Sequence, residues 1–283
     1  MFTLNCKGKL LTTAQPLVMG IINATPDSFY KGDLPSGLKA MVALAGKMKA
    51  EGASIIDIGG QSTRPGSDRI SSSQEMQRVI PLIEAIHSVY PELILSIDTY
   101  HSEVAMAALK AGTSIVNDIS AGSLDPEMID CVSSLNVPYI CMHMKGTPES
   151  MQINPTYEDL IKEVLDFFIA KIDQCKQAGI RDIIIDPGFG FGKTMDQNFT
   201  LLKQLSVFKM LDKPILAGLS RKSMVYKTLG IGVDESLNGS SVLNTIALLQ
   251  GASIIRVHDV KEAMEAVSLF VAFEKSSPQS MEW

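Results

Sequence analysis

Residues 93–120 read LILSIDTYHSEVAMAALKAGTSIVNDIS and contain one full repeat of the architecture that we infer for the chain. Residues 93–99 form a short apolar run, and residues 114–120 form another. The segment between them is long enough for a crossover helix, and Gly112 precedes the second run. Because glycine tolerates the left-handed conformation that often ends a helix, the chain can turn there into the next strand. The stretch therefore predicts a strand–helix–strand unit.

Eight apolar runs of this kind occur along the chain. They are 17–23, 53–59, 93–99, 114–120, 138–144, 182–188, 214–220 and 253–259. Nearly continuous apolar runs are typical of strands covered on both faces, as in parallel sheets. Eight strand–helix units predict an α/β fold, a (β/α)8 TIM barrel over residues 17–275, with a short N-terminal extension at 1–16 and a polar tail at 276–283. The alternative is a doubly wound open sheet, but NATPDSF follows the first run where that fold would place GxGxxG.

Amphipathic segments between the runs predict the helices. Residues 38–49 place apolar side chains on one face at three- and four-residue spacing. Ser71 to Ser73, with Glu75 and Gln77, provide capping signals for the next helix. Residues 157–178 form a third, longer amphipathic segment.

Composition excludes several classes of protein. Of the 283 residues, 46% are hydrophobic and 20% are charged, as in ordinary globular proteins, and the formal net charge of −6 disfavours a nucleic acid partner. No apolar run approaches the roughly 20 residues of a membrane-spanning helix. No signal peptide is evident, so we expect a cytoplasmic protein without a membrane partner. Four well-separated cysteines are expected to be reduced and mostly buried.

A residue able to form strong hydrogen bonds ends almost every apolar run. In chain order these residues are Asn23, Asp57, Asp98, Asn117 with Asp118, His143, Asp186, Ser220, and Arg256 with His258. Catalytic groups of barrel enzymes gather at the carboxyl ends of the strands, so we expect all of them on one face. A single Asn or Asp there can instead be a cap or a turn former, and this interpretation stays open for Asp57, Asp118 and Asp259.

Two basic segments suggest an anion site. AGLSRKS at 217–223 brings hydroxyls and two cations to the usual phosphate position of a barrel, unless Arg221 and Lys222 only begin a solvated helix. Arg256 and His258 lie within an apolar strand, where an unpaired guanidinium is costly. A nearby anion is therefore expected, either a structural carboxylate or, as we favour, a bound phosphate. Close groups of histidines are absent from the sequence, and Asn and Asp oxygens suit Mg²⁺ better than zinc.

Eight motifs, taken together, resemble the bacterial dihydropteroate synthases, a family of pterin-binding barrels. In chain order they are NATPDSF at 23–29, IDIGGQSTRPG at 56–66, SIDT at 96–99, NDISAG at 117–122, MHMKGTP at 142–148, DPGFGFGKT at 186–194, GLSRKS at 218–223 and RVHD at 256–259. The resemblance runs from Val18 to Phe270. It implies a transferase of folate biosynthesis that condenses 6-hydroxymethyl-7,8-dihydropterin diphosphate with p-aminobenzoate, giving 7,8-dihydropteroate and pyrophosphate. It also implies Mg²⁺ as cofactor and a homodimer.

The resemblance further implies roles for individual residues. The pterin would contact Asp98, Asn117, Asp186, Lys222 and Arg256. The diphosphate would contact Asn23, Thr63, Arg64, Arg256 and His258, with Asn23 also a ligand of Mg²⁺. The aminobenzoate would contact Thr63, Arg64, Pro65, Phe191, Ser220, Lys222 and Ser223. The catalytic group would comprise Asp98, Arg64, Lys222, Arg256 and His258.

Two departures from the family pattern stand out. Residues 30–33 read YKGD, which moves a loop aspartate from its usual place, and Asp33 is a possible substitute. Gln61 stands where the family usually has Glu, which removes one charge at the base of the second loop.

Two other functions remain as alternatives. One is a pterin-dependent methyltransferase with a corrinoid partner, and the other is a catalytically silent paralogue that binds pterin. A methyl transfer has no pyrophosphate to bind, so the STRPG and SRKS loops disfavour the first, and the intact set of cations disfavours the second.

Overall fold

A computed structural model describes residues 1–25, 34–61, 69–147, 151 and 155–276. An N-terminal hairpin consists of β1 (Thr3–Cys6) and β2 (Lys9–Thr12). Eight further strands follow: β3 (Leu17–Asn23), β4 (Ile55–Gly59), β5 (Ile94–Asp98), β6 (Ile115–Asp118), β7 (Tyr139–Met142), β8 (Ile183–Asp186), β9 (Leu216–Ala217) and β10 (Ile254–Val257). Each of the eight predicted apolar runs contains one of these strands.

The eight strands form one parallel sheet that closes on itself. Their spatial order is β8-β7-β6-β5-β4-β3-β10-β9. A parallel bridge between Ile185 and Ile215 joins the two ends of that order, and the Ile185 amide donates to the Pro214 carbonyl at 3.0 Å. The predicted closed (β/α)8 barrel is confirmed, and the open doubly wound sheet is wrong.

Helices connect the strands on the outside of the barrel. They are α1 (Leu34–Ala50), α2 (Ser72–Val89), α3 (Ser102–Ala111), α4 (Met128–Leu135), α5 (Leu160–Gln177), α6 (Met195–Lys203), α7 (Ser223–Leu229), α8 (Leu237–Leu249) and α9 (Val260–Lys275), with 3₁₀ turns at Leu205–Leu211 and Val233–Glu235. The capping signal before α2 is confirmed at Ser71, but Gln74 closes the capping box. Glu75 and Gln77 lie one and three residues beyond the position that can reach back to the cap.

The alternation of side chains along each strand divides the core in two. One set packs outward against the helices and includes Val18, Ile56, Leu95 and Val116. The other set fills the amino end of the barrel interior; it comprises Leu17, Met19, Ile55, Ile94, Ile115, Ile140, Ile184, Leu216 and Ile254.

The N-terminal hairpin closes the amino end of the barrel. Leu4 and Cys6 pack into the interior cluster with 2% and 1% exposure. The Asn5 amide donates to the Asp182 carboxylate at 2.8 Å, which ties the hairpin to the start of β8. Because apolar side chains occupy this end, polar side chains can enter the interior only at the carboxyl end of the strands.

The four cysteines are free and buried, as expected. Within the described ranges, no helix combines the length and apolar character needed to cross a membrane.

Candidate active site

A network of side chains fills the barrel interior at the carboxyl end of the strands. Arg256 on β10 donates from Nε to Asp57 Oδ2 at 2.6 Å and from Nη2 to Asp98 Oδ2 at 2.7 Å. Asn117 Nδ2 donates to the same Asp57 oxygen at 2.9 Å. Asp57 is fully buried, and Asp98 and Asn117 are 9% and 4% exposed. Four strands, β4, β5, β6 and β10, thus contribute to one hydrogen-bonded unit.

The network provides one of the two anions that the sequence left open for Arg256. The carboxylates of Asp57 and Asp98 pair with its guanidinium, and the contact with a bound phosphate stays a prediction. Asp57 is therefore not a strand-end cap. Its carboxylate links the guanidinium of Arg256 to the amide of Asn117 and fixes the orientation of both.

Burial shifts the acidity of the interior carboxyls. Burial raises the pKa of Asp98 to about 7, while the Arg256 guanidinium opposes the shift and the 2.7 Å contact favours the ionised form. Burial likewise raises the pKa of Asp186, while nearby Lys222 lowers it. Asp186 lies at the end of β8, 6% exposed, and accepts from the Gly188 amide at 2.8 Å. The negative charges of the interior carboxylates and the positive charges of Arg256 and Lys222 therefore offset one another.

Lys222 lies immediately before α7, next to this network. Its Nζ donates to the Phe189 carbonyl and stands 4.9 Å from the centre of the Phe191 ring. Burial lowers its pKa to about 8, and Asp186 opposes that shift. Arg221 forms a bidentate pair with Asp259, at 2.9 and 2.7 Å. Both cations have defined partners, so the interpretation as a solvated helix start is wrong.

Two contacts join the loops after β9 and β10. Ser220 Oγ lies 3.1 Å from His258 Nδ1 and accepts from the His258 amide at 3.2 Å. The pair of Arg221 and Asp259 lies beside it. Arg221 adopts a φ of 54°, which non-glycine residues rarely do, and its amide donates to Ser240 Oγ at 2.9 Å. Asp259 is therefore structural, which is the interpretation that the sequence left open.

The remaining predicted residues lie at the rim or outside the described residues. Asn23 ends β3 with an exposed side chain, beside Gly59 of β4. Ser223 begins α7 and is also exposed. Thr63, Arg64 and Pro65 fall outside the described residues, as do residues 26–33 with the YKGD departure.

The expectation of one common face is wrong for two residues. Asp118 follows Asn117 directly, and successive side chains of a strand point to opposite faces. Its carboxylate accepts from Tyr139 Oη at 2.7 Å and from the Ser120 and Gly122 amides, so it is structural. His143 lies two residues after Cys141, so its side chain points to the same side as Cys141, which packs among the helices. Its ring contacts the Phe167 ring edge-on, with the ring centres 5.0 Å apart.

Sequence reasoning missed two buried polar residues near this end of the barrel. Lys193 is 2% exposed and Glu75 is fully buried. Glu75 Oε2 accepts from Thr99 Oγ1 at 2.9 Å, and Oε1 has no partner among the described residues. Neither residue ends an apolar run. For Glu75, the one signal in the sequence is an acidic residue on the face of α2 that also carries Val79, Leu82 and Ile83.

Replacing Glu75 with Gln is expected to change how stability depends on pH. Burial raises the Glu75 pKa from 4.5 to about 8, so between these values the folded chain holds a proton that the unfolded chain releases. Glu75 therefore contributes stability that is lost as pH rises from 4.5 to about 8. The loss in the free energy of unfolding is about 1.4 kcal/mol per pH unit. Urea unfolding at pH 5.5 and 7.5 measures this. The stability of Glu75→Gln relative to wild type should rise by roughly 2–3 kcal/mol between the two; an unchanged difference would contradict the assignment.

Comparison with known proteins gives a consistent result. The family model described as "Pterin binding enzyme" matches residues 19–258. Dihydropteroate synthase of Escherichia coli (strain K12) is 44% identical over 268 residues, which cover 94% of each chain. The Yersinia pestis dihydropteroate synthase, solved with a sulfonamide drug complex, is 39% identical with a TM-score of 0.90, covering 97% of this chain and 100% of that one.

A third similar protein is the Xanthomonas albilineans dihydropteroate synthase, solved with 4-aminobenzoic acid. It is 38% identical with a TM-score of 0.90, and the match covers 97% of this chain and 99% of that one. Similarity in sequence and in fold thus extends over nearly the full length. The chain belongs to the pterin-binding enzyme family and, within it, to the dihydropteroate synthases.

Proposed function

We propose that this protein condenses 6-hydroxymethyl-7,8-dihydropterin diphosphate with p-aminobenzoate to give 7,8-dihydropteroate and pyrophosphate. The observation that carries the proposal is the interior network of Asp57, Asp98, Asn117 and Arg256, with Asp186 and Lys222 at the same end of the barrel. Carboxylates and an amide in a buried site match the adjacent donors and acceptors on the edge of a pterin ring.

The pterin occupies the barrel interior in this proposal. Asp186 accepts two hydrogen bonds from the guanidine-like edge of the ring, and Asn117, held by Asp57, supplies a donor and an acceptor. Lys222 reaches the ring carbonyl. Asp98 faces the ring with a negative charge, which stabilises positive charge on the pterin while the bond to the diphosphate breaks.

The reaction is a substitution at the methylene carbon. The neutral aryl amine nitrogen forms the new bond to carbon, and pyrophosphate departs with the electron pair of the carbon–oxygen bond. The amine then releases one proton. An aryl amine is neutral at pH 7, so the site needs no strong general base.

The diphosphate lies at the rim, where Asn23, His258 and Arg256 meet it, with Thr63 and Arg64 from the second loop. Asn23, whose side chain is exposed, would hold Mg²⁺ through its side-chain carbonyl oxygen, a ligand type that this ion prefers. In the described residues, no three His, Cys, Asp or Glu side chains form a metal-binding group. Mg²⁺ bound at Asn23 would neutralise charge on the leaving pyrophosphate.

The aminobenzoate lies beside Phe191 and Lys222. The 4.9 Å separation between Lys222 Nζ and the Phe191 ring supports this placement, because an aromatic face and a cation suit an aromatic carboxylate. Ser220, Ser223, Thr63, Arg64 and Pro65 complete the pocket in this proposal.

An omission assay tests the function. Purified protein should release pyrophosphate only when the pterin diphosphate, p-aminobenzoate and Mg²⁺ are all present. Binding of pterin without aminobenzoate-dependent release would favour the silent paralogue. Methyl transfer to a corrinoid would favour the methyltransferase.

A homodimer is part of the proposal, supported by an exposed apolar surface on the last two long helices. This late-helix surface consists of Val242, Ile246 and Leu249 on α8, with Leu269 and Phe273 on α9, and these side chains are 36–73% exposed. The two helices pack against each other, and exposed apolar side chains grouped on neighbouring helices are a common feature of interaction sites. The four buried thiols support a reducing, cytoplasmic location.

Charges placed on the late-helix surface are expected to separate the dimer. Light scattering should report a dimer for the wild type and a monomer for the double variant L269E/F273E. Leu10→Glu is the matched control, since Leu10 is 70% exposed on the hairpin at the amino end. A monomeric wild type, or a dimer that survives in the double variant, would contradict the proposed interface.

A further inference from the structure

Lys193 is a buried lysine without a carboxylate among its described hydrogen-bond partners. Its Nζ lies 3.0 Å from His143 Nδ1 and donates to the carbonyl oxygens of Gly188 at 3.0 Å, Phe191 at 3.1 Å and His143 at 3.4 Å. Burial lowers its pKa to about 7. A buried amine is costly unless its donors are used, and here several acceptors surround it.

His143 is the acceptor that completes this set. Burial, with Lys193 and Lys145 nearby, lowers the His143 pKa to about 2, so the ring is neutral. A neutral ring facing a lysine Nζ accepts through Nδ1 and carries its proton on Nε2. The ring is held by Phe167, and the His143 amide donates to the Asp186 carbonyl at 2.9 Å. His143 therefore anchors Lys193 to the end of β7.

The lysine fixes the segment that we call the glycine loop, residues 187–192. Gly188 and Phe191, two of its acceptors, flank Phe189, whose carbonyl accepts from Lys222. Gly188 has a φ of 72°, and a Cβ there would overlap the His143 carbonyl oxygen, so the loop lies directly against β7. Asn198 closes the other side, because its Oδ1 accepts from the Gly190 amide at 2.7 Å.

Both described contacts of Lys222 with the glycine loop depend on this arrangement. The Phe189 carbonyl and the Phe191 ring belong to residues on either side of Gly190, whose φ is 83°. If the loop moved away from His143, the carbonyl and the ring would move together, and Lys222 would lose both.

We propose that Lys193, held by His143, is a positioning residue that sets the glycine loop and thereby places Phe191 and Lys222 for p-aminobenzoate. The inference rests on the proposed function. Lys193 itself contacts neither substrate in this proposal.

Steady-state kinetics combined with pterin binding test the inference. Lys193→Met keeps the length of the side chain and removes its donors. We expect the KM for p-aminobenzoate to rise about 10- to 100-fold, since small displacements of positioned groups have effects of this size. The dissociation constant of the pterin diphosphate should rise by a clearly smaller factor, because Asn117 and Asp57 keep their contacts and only Lys222 and the Gly188 amide beside Asp186 move with the loop. A general structural defect would raise both constants by similar factors.

Matched variants keep the test falsifiable if Lys193→Met does not fold. His143→Asn retains an acceptor near the position of Nδ1, and His143→Leu removes it, so the Asn variant should resemble wild type and the Leu variant should resemble Lys193→Met. Lys162→Met is the control lysine, because Lys162 is exposed on α5 and pairs with Asp166. Equal KM values in the two His143 variants, or a wild-type KM in Lys193→Met, would overturn the inference. If the wild-type protein shows no turnover, the proposed function is overturned, and this result is distinct from a failure of the inference about Lys193.

Discussion

Asp57→Asn is expected to lower the free energy of unfolding by about 3 kcal/mol or more and to reduce turnover strongly. The variant leaves the Arg256 guanidinium with one fewer charged partner in a buried site, and breaking such a pair from one side typically costs about 3–5 kcal/mol. In one orientation, the new amide would point its NH₂ group at Arg256. In the other, the NH₂ group would replace Asp57 Oδ1, which has no hydrogen-bond partner among the described residues. Urea unfolding and initial rates measure the two effects.

The control for Asp57 is an exposed aspartate with a similar partner. Asp166 pairs with Lys162 at 2.8 Å on α5, and both side chains are more than half exposed. Exposed pairs of this kind contribute about 0.3–0.5 kcal/mol, so Asp166→Asn should change stability little. Similar small losses in the two variants would contradict the view that Asp57 holds the network together.

Asp186→Asn is expected to weaken binding of the pterin diphosphate at least about 30-fold, which corresponds to about 2 kcal/mol or more. In the proposal, the Asp186 carboxylate accepts from two ring donors, and an amide would point one of its own donors at them. Isothermal titration in the absence of p-aminobenzoate measures this affinity without any catalytic step.

Asp182 provides the matched control at the opposite end of the same barrel segment. It precedes β8 and accepts from the Asn5 amide of the hairpin. Asp182→Asn should leave pterin affinity unchanged because the substrate lies at the carboxyl end of the strands. Equal affinity for the pterin diphosphate in wild type and Asp186→Asn would contradict the assignment of Asp186 to the pterin site.

The strands could be predicted because parallel strands covered on both faces are continuously apolar, and each run ends where a polar side chain or a turn begins. The left-handed turns were predictable for a similar local reason. Gly52, Gly112 and Gly251 each precede a strand with φ of 104°, 134° and 100°.

The direction in which a strand-end side chain points depends on the number of residues that separate it from an interior residue of the same strand, because side chains alternate. Asn117 and Asp118 are neighbours, so only one of them can enter the interior, and His143 is two residues beyond the outward-facing Cys141. Counting alternate residues from the interior Ile115 and Ile140 would have placed Asn117 inside and His143 outside. Strand-end residues therefore share a face only when they are an even number of residues from an interior side chain of their own strand.

Long-range partners explain what sequence reasoning could not assign. The Asp57 carboxylate meets Asn117 at a separation of 60 residues and Arg256 at a separation of 199. Lys193 follows a glycine loop and has no apolar periodicity around it, so its burial against His143, 50 residues away, is set only by the closed barrel. The roles predicted for Thr63, Arg64 and Pro65 remain predictions, since these residues lie outside the described ranges.

Product analysis with labelled p-aminobenzoate tests the central claim most directly. Wild-type protein supplied with the pterin diphosphate, Mg²⁺ and ¹⁵N-amino-labelled p-aminobenzoate should form 7,8-dihydropteroate that carries the label at the bridging nitrogen. One pyrophosphate should appear for each molecule of product. Pyrophosphate released without labelled dihydropteroate, or at the same rate without p-aminobenzoate, would contradict the condensation.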